Sequence, residues 1–385
     1  MTTDEYIPFT KPTISKEAIQ EVVDCLESGW LATGPRTQKF ENLLAEYFGV
    51  PCVQSCISAT AGLLMVLESI DLQPGDEVIT TPMTFAATAN TIVLAGGTPV
   101  MVDVEPETYN IDPKCVEKAI TKRTKAIMPV HFAGLPVDLD AIYGLASKHG
   151  LRVIEDVAHA MGGSYKGKKL GSFGDTQVFS FHPNKNMTTG EGGAIVTRDE
   201  KMRKHINYLR FHGIDRESWN RFAKGGSQLY DIVLPGYKFN FMDIQAALGI
   251  HQLAALDGFN AKRKELAERY YSLLKDFSEL SLPVQPSYDH LHAWHLFTPL
   301  INEEKAGVTR DEFIEEMKKH NIGIGLHYQA IHLHSYYRKT YGYKEGDFPH
   351  AEFISDRIFS LPLFPKMTHS DQDRVVGAMA KVFRK

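Results

Sequence analysis

Lys185 stands in "FSFHPNKNMTTGEGGAIV", residues 179–196, between an apolar alternation and a Gly-Glu-Gly-Gly run. A lysine so placed is either an ordinary turn residue or a nucleophilic amine presented at a strand end. Other polar groups also stand just past apolar stretches. "LRVIEDVAHA" closes a buried-strand pattern on Glu155 and Asp156, with His159 three residues further on. A carboxylate at the end of a core strand is costly unless a cation meets it, and either a loop-facing salt bridge or a ligand would serve. "CISATAGLL" sets Ser58, Ala59 and Thr60 where a helical pattern begins. Free N–H groups and a hydroxyl at such a terminus suit a phosphate, although a plain N-cap explains them more simply. Ser180 lies near the end of the strand pattern "TQVFSFH", and Phe85 follows another in "PMTFAATAN". A lysine for a Schiff base, an acid for a pyridinium nitrogen, a phosphate cup and a ring-covering aromatic are together what pyridoxal phosphate (PLP) requires.

Such residues work only on a scaffold that gathers strand ends. From about residue 15 to 150, helical and strand patterns alternate. "SKEAIQEVVDCL" reads as a helix capped by Ser15, "GDEVITT" as a strand, and "TFAATANTIVLAG" as a helix closed by Gly96. "TPVMVDV", "TKAIMPVH" and "LRVIED" continue the strands, with "PKCVEKAI" and "LDAIYGLASKHG" as helices between them. This alternation predicts an α/β fold with a mostly parallel sheet covered by helices on both faces. Ligands in such sheets sit at the carboxyl ends of the strands. Past residue 250 the texture changes. "DIQAALGIHQLAALDGFNAKRKELAERYYSLL" reads as one long helix leading to strand ("AWHLFTPLI"), helix ("TRDEFIEEMKKH") and a loop rich in His and Tyr. The expected division is a large domain over 1–250 and a smaller α+β domain over 251–385.

The chain has 385 residues and a formal net charge of -5, which gives no basic footprint for nucleic acid. No apolar run approaches the ~20 residues needed to cross a bilayer. The start, Met-Thr-Thr-Asp-Glu-Tyr, has no export signal, and Cys25, Cys52, Cys56 and Cys115 suit reduced thiols of a cytoplasmic protein. "GGSYKGKK", Gly162 to Lys169, nearly matches a P-loop but carries Lys169 where magnesium would need a hydroxyl. No G-x-G-x-x-G is present. His327, His332 and His334 are close together, but no acidic or cysteine partner joins them, so no metal is expected.

A series of segments in order resembles the DegT/DnrJ-type sugar aminotransferases almost end to end. They are "ESGWLATGP", "SATAGL", "GDEVITTPMTFAATAN", "VIEDVAHA", "FSFHPNKNMTTGEGG", "GYKFNFMDIQAA", "AWHLF", "GIGLHYQAIHLHSYY" and "SLPLFPKMT". The resemblance implies the fold-type I aminotransferase architecture with PLP bound. Lys185 would hold the cofactor covalently and act as the base, Asp156 would keep its ring nitrogen protonated, and His159 would bond its phenolic oxygen. Thr60, the backbone at Ala59, and Ser180 would bind the phosphate, and Phe85 would stack on the ring. Asn240 in "GYKFN" would reach the phosphate of a neighbouring subunit, implying a homodimer with composite active sites. His327 and Tyr328, and His212 in "LRFHG", are the candidates for contacting substrate. L-glutamate would be the donor, leaving as 2-oxoglutarate, and a UDP-4-keto sugar the acceptor.

Within the family, "TPVMVDV", "HAWHLF", "GIGLHY" and "SLPLFP" resemble the members that form UDP-4-amino-4-deoxy-L-arabinose for lipid A. Those members carry a larger aromatic where this chain has Phe85. "SFHP" followed by "TTGEGG" resembles members that aminate C4. A UDP-4-keto-6-deoxy hexose for an O-antigen or glycan is the other acceptor in view. Relatives with histidine in place of the lysine dehydrate sugars instead, whereas Lys185 implies amino transfer. A non-catalytic sugar-nucleotide sensor would have no need for the full Lys185, Asp156 and Ser180 set.

Overall fold

A computed structural model describes residues 5–215 and 230–383 of the chain. Seven strands form one sheet: Gln54–Cys56 (β1), Glu77–Thr80 (β2), Thr98–Met101 (β3), Thr124–Ile127 (β4), Arg152–Asp156 (β5), Thr176–Ser180 (β6) and Gly193–Thr197 (β7). Their spatial order is β1-β7-β6-β5-β4-β2-β3. Neighbours run parallel except at β7, which is antiparallel to both β6 and β1. Every residue of β2 and β6 is buried, as a sheet covered on both faces requires.

Local signals in the sequence account for the elements around the sheet. Ser15 Oγ accepts from Ala18 N at 3.1 Å and opens the helix Lys16–Glu27. Gly150 takes a left-handed conformation and ends the helix Leu139–His149. Because β7 is reversed, its first residue, Gly193, lies beside Ser180 at the end of β6 and Cys56 at the end of β1. The crossing is tight: a Cβ on Gly193 would lie 2.6 Å from Ala59 N and 2.8 Å from Phe179 O. The glycine cluster therefore lets β7 pass the start of the helix Ala59–Glu68.

The helix Asp243–Leu274 is 32 residues long and belongs to two cores. Its first half packs Ala246, Ile250 and Leu256 with Phe40, Phe48 and Phe179 beside the sheet. Its second half packs Leu266, Tyr270 and Leu274 with Phe297, Phe313 and Phe359. Ile7 joins that second core, and its backbone bonds Asn321 O and Gly323 N. A third cluster ties Met83, Ala89 and Phe132 at the sheet end to Ile331, Tyr337 and Ile358. We propose that the large and small units divide within the shared helix.

Two stretches differ from simple patterning. Of "AWHLFTPLI", only Leu300–Ile301 joins a ladder, pairing with Leu280–Ser281, and Phe297 makes a single bridge to Leu361. The strand fails to extend because Trp294 has φ +48° and stacks on His292 with ring centroids 3.8 Å apart. Ala293 N and Leu296 N donate instead to the carbonyls of Gly134 and Ala133. "GGSYKGKK" forms a hairpin in which Ser164–Tyr165 pairs with Lys168–Lys169, and Lys169 Nζ lies 3.6 Å from the centre of the Tyr47 ring.

Candidate active site

Lys185, Asp156, His159, Ser180, Ala59, Thr60 and Phe85 line one cavity of about 440 Å³, together with His327 and Tyr328. The topology explains the gathering. Asp156 and Ser180 are the last residues of β5 and β6, and Ala59 starts the helix that follows β1. Asp156 is buried, and Oδ2 accepts from Thr88 Oγ1 at 2.8 Å while Oδ1 accepts from Ala158 N at 3.1 Å. Burial raises its pKa. The Ala158 N–H, the Thr88 hydroxyl and the charges of Lys185 and His131 oppose that rise.

Lys185 sits in the turn after β6, where its N–H bonds His182 O at 2.9 Å. The next residue fixes the loop: Asn186 Nδ2 donates to Asn260 Oδ1 at 2.7 Å and to Ala293 O at 2.6 Å. Burial depresses the Lys185 amine to about 8, with Asp156 pulling the other way. At the start of the helix Ala59–Glu68, Ser58 Oγ accepts from Ala61 N at 3.1 Å. Ser58 is thus the N-cap, and Ala59 and Thr60 line the cavity beside it. The first N–H groups of a helix have no intrahelical acceptor, so the terminus favours an anion.

The sequence profile of the DegT/DnrJ/EryC1/StrS aminotransferase family matches residues 12–380. The chain belongs to this family. It is 47% identical over 382 residues to a protein of unassigned function from Methanocaldococcus jannaschii, covering 99% of each chain. It is 46% identical to the spore coat polysaccharide biosynthesis protein SpsC of Bacillus subtilis, covering 99% of this chain and 98% of SpsC. The solved structure of Helicobacter pylori PseC, an aminotransferase involved in the biosynthesis of pseudoaminic acid, superposes with a TM-score of 0.91 at 30% identity over 99% of this chain and 100% of PseC. A Streptococcus pneumoniae protein described as a sugar aminotransferase, solved in its PLP form, gives 0.90 at 34% identity over 98% of this chain and 99% of its own. This DegT/DnrJ family member is a PLP-dependent sugar aminotransferase of fold type I.

The residues present fit that cofactor. The cavity offers a depressed amine, a buried carboxylate and a helix N-terminus, and it also borders an unpaired imidazole nitrogen. Tyr328 Oη lies 3.0 Å from His159 Nε2, and burial raises the tyrosine's pKa and pushes that of His159 well down. With the Tyr328 hydroxyl as donor to Nε2, the ring's one N–H would be at Nδ1. Nδ1 is buried and meets no partner among the described residues, which suits an anionic oxygen on a ligand. The depressed Lys185 amine gives a test of the DegT/DnrJ site by itself. The rate at which cofactor-free protein captures PLP is expected to climb with pH and level off above about 8, where Nζ is neutral and nucleophilic. Stopped-flow absorbance measures it, and a profile flat from roughly pH 6 to 9.5 would contradict a buried amine as the nucleophile.

Asn240 and His212 stand apart from this cavity. Asn240 Nδ2 donates to Thr33 Oγ1 at 2.7 Å, and Asn240 lines a second cavity of about 350 Å³ with Thr37, Tyr208 and Arg210. His212 is exposed and lines neither cavity, with its N–H on Tyr237 O at 2.7 Å. His332 Nε2 lies 2.9 Å from Glu352 Oε1, and no cluster among the described residues could hold a metal ion. All four cysteines are free.

Two neighbours of the site escaped notice in the sequence. Thr88, which bonds Asp156, sits on the helix Ala86–Leu94, and its spacing from Thr84 was the available signal. The His295 ring lies 4.4 Å from that of His159, in an "AWHLF" segment that carried only the resemblance.

Proposed function

We propose that this aminotransferase moves the amino group of L-glutamate to C4 of a UDP-4-keto sugar, releasing 2-oxoglutarate. The observation that carries the reading is the depressed Lys185 amine in one cavity with the buried Asp156 carboxylate. Lys185 would hold PLP and Asp156 would pair with its ring nitrogen. Ala59, Thr60 and Ser180 would receive the phosphate, His159 the phenolic oxygen, and Phe85 would cover the ring. When bound, PLP supplies an electron sink for the pair left by a breaking Cα–H bond. Lys185 Nζ, which burial makes easier to deprotonate than an exposed lysine, takes the proton from the donor's Cα in its neutral form and returns one to C4 of the acceptor in the second half of the cycle. Asp156 stays ionised with help from Thr88 and the Ala158 N–H. His327, held by Ser360 Oγ at 2.9 Å, and Tyr328 face the remaining space, where the sugar would lie.

UDP-4-keto-pentose is the first candidate acceptor, supported by the motif resemblance, and its product would be UDP-4-amino-4-deoxy-L-arabinose for lipid A and polymyxin resistance. A second reading has a UDP-4-keto-6-deoxy hexose as acceptor for a surface glycan. The 46% identity to a spore coat polysaccharide protein supports it. The Phe85 ring, 60% exposed and 6.0 Å from that of Tyr328, supplies adaptable cover for either sugar.

We further propose a homodimer in which Asn240, and His212 beside it, serve the partner's cofactor and substrate. The place of Asn240 at the second cavity, and of both residues outside their own chain's Lys185 site, supports this. The cytoplasm is the proposed compartment, supported by four free thiols. No helix among the described residues is long and apolar enough to cross a membrane.

The deciding experiment is the visible spectrum of the purified protein. A yellow band that bleaches with L-glutamate and returns with one of the two UDP-keto sugars supports the reaction and names the acceptor. A protein that stays colourless with added PLP overturns it.

A further inference from the structure

We propose that Thr88, backed by Thr84, is a positioning residue that keeps Asp156 ionised and aimed into the cavity through a one-way chain of two hydroxyls. This rests on the assignment of Asp156 to the cofactor's ring nitrogen.

The direction of the chain follows from counting protons. An ionised carboxylate only accepts, so Thr88 Oγ1 donates its single proton to Asp156 Oδ2 across 2.8 Å. Thr84 Oγ1 and Thr88 Oγ1 are also 2.8 Å apart. With the Thr88 proton committed, Thr84 must be the donor there. Thr84, Thr88 and Asp156 are all buried, so water offers little competition and each hydroxyl polarises the next.

Two hydroxyls therefore point their dipoles at one oxygen, and the Ala158 N–H points at the other. They oppose the burial that would otherwise let Asp156 take up a proton and lose its charge. The remaining charged or titratable groups acting on it are Lys185, His131 and Tyr328, of which the first two help to hold it ionised. The same chain has a second geometric effect. Phe85 follows Thr84 directly and is the N-cap of the helix that carries Thr88. One pair of hydroxyls thus fixes both the carboxylate for the ring nitrogen and the segment that presents the aromatic to cover the ring.

The test uses the full-length enzyme with Thr88→Val, which keeps the shape and removes the hydroxyl, and Thr88→Ser, which keeps the hydroxyl. Thr84→Val is a third variant that leaves the Thr88–Asp156 bond in place. PLP affinity is read by titrating the visible band, and the pH midpoint of that band is followed in each holoenzyme. Thr88→Val should weaken PLP binding by about 10- to 100-fold. It should also move the midpoint upward, because losing positive charge at the ring nitrogen lets the neighbouring nitrogen keep its proton to higher pH. Thr88→Ser should restore both to near wild type, and Thr84→Val should shift both in the same direction by less. Wild-type affinity and midpoint in Thr88→Val would overturn the proposal, even if the melting temperature fell. So would a serine variant that behaves like valine. Should Thr88→Val fail to fold, Thr84→Val decides alone, and unchanged values there sink the chain. A wild-type protein that never binds PLP would instead sink the assignment of function.

Discussion

Replacing Lys185 by alanine is expected to lower turnover by at least ~10⁴-fold while the protein still folds. A positioned general base is worth about 10²–10⁴ in rate, and this residue would supply the covalent hold on the cofactor as well. The fold should survive, because Asn186 anchors the loop, through Asn260 and Ala293. Removing the amine also removes a desolvated cation. Lys185→Arg should fail equally, since a guanidinium does not give up its proton near neutral pH. A small amine added to the alanine variant should recover part of the proton transfer. Steady-state kinetics with L-glutamate measures all three, and sustained turnover by Lys185→Ala would remove this residue from the chemistry.

Gly193→Ala should cost the protein at least ~3 kcal/mol, at the upper end for overpacking. The added Cβ would meet Ala59 N at 2.6 Å, the Ser58 carbonyl carbon at 2.7 Å and Phe179 O at 2.8 Å. All three are backbone atoms, so no side chain can rotate away. Either β7 leaves its place beside β6 or the helix that begins at Ala59 moves. PLP affinity should fall along with stability, because that helix start is the proposed phosphate cup. Gly190→Ala is the control. Its φ is +82° but nothing lies within 4 Å, so it should pay only the backbone strain of about 1–2 kcal/mol. Urea denaturation separates the two, and a loss at Gly193→Ala no larger than that of the control would mean that the crossing accommodates a Cβ.

These contrasts also mark what the sequence made legible. The strand ends could be read because parallel strands are continuous apolar runs and polar residues are conspicuous where they stop. Asp156, Ser180 and Lys185 all stand out in this way. Thr88 did not, because a threonine within an apolar helix reads as packing until the partner across the sheet edge is known. The Gly-Glu-Gly-Gly run was visible, but what it passes was not. Gly193 passes a helix terminus that is more than a hundred residues earlier in the chain. The "AWHLFTPLI" strand failed for a similar reason, since the carbonyls that bind its N–H groups come from Ala133 and Gly134. The role expected of Asn240 rests on the resemblance alone, because nothing in its surrounding residues indicates which cavity it serves.

The place of Ile7 has a consequence for how the chain is made. Its backbone groups pair with Asn321 and Gly323, and its side chain enters a core that includes Phe359 and Met379. Translation delivers domains in order from the N-terminus, and early units can fold while later ones are still being synthesised. Ile7 cannot share in that head start, because the partners of its backbone, Asn321 and Gly323, are made long after it. A chain cut before residue 321 would therefore leave Ile7 without the backbone partners, and without much of the core, that hold it in the folded protein.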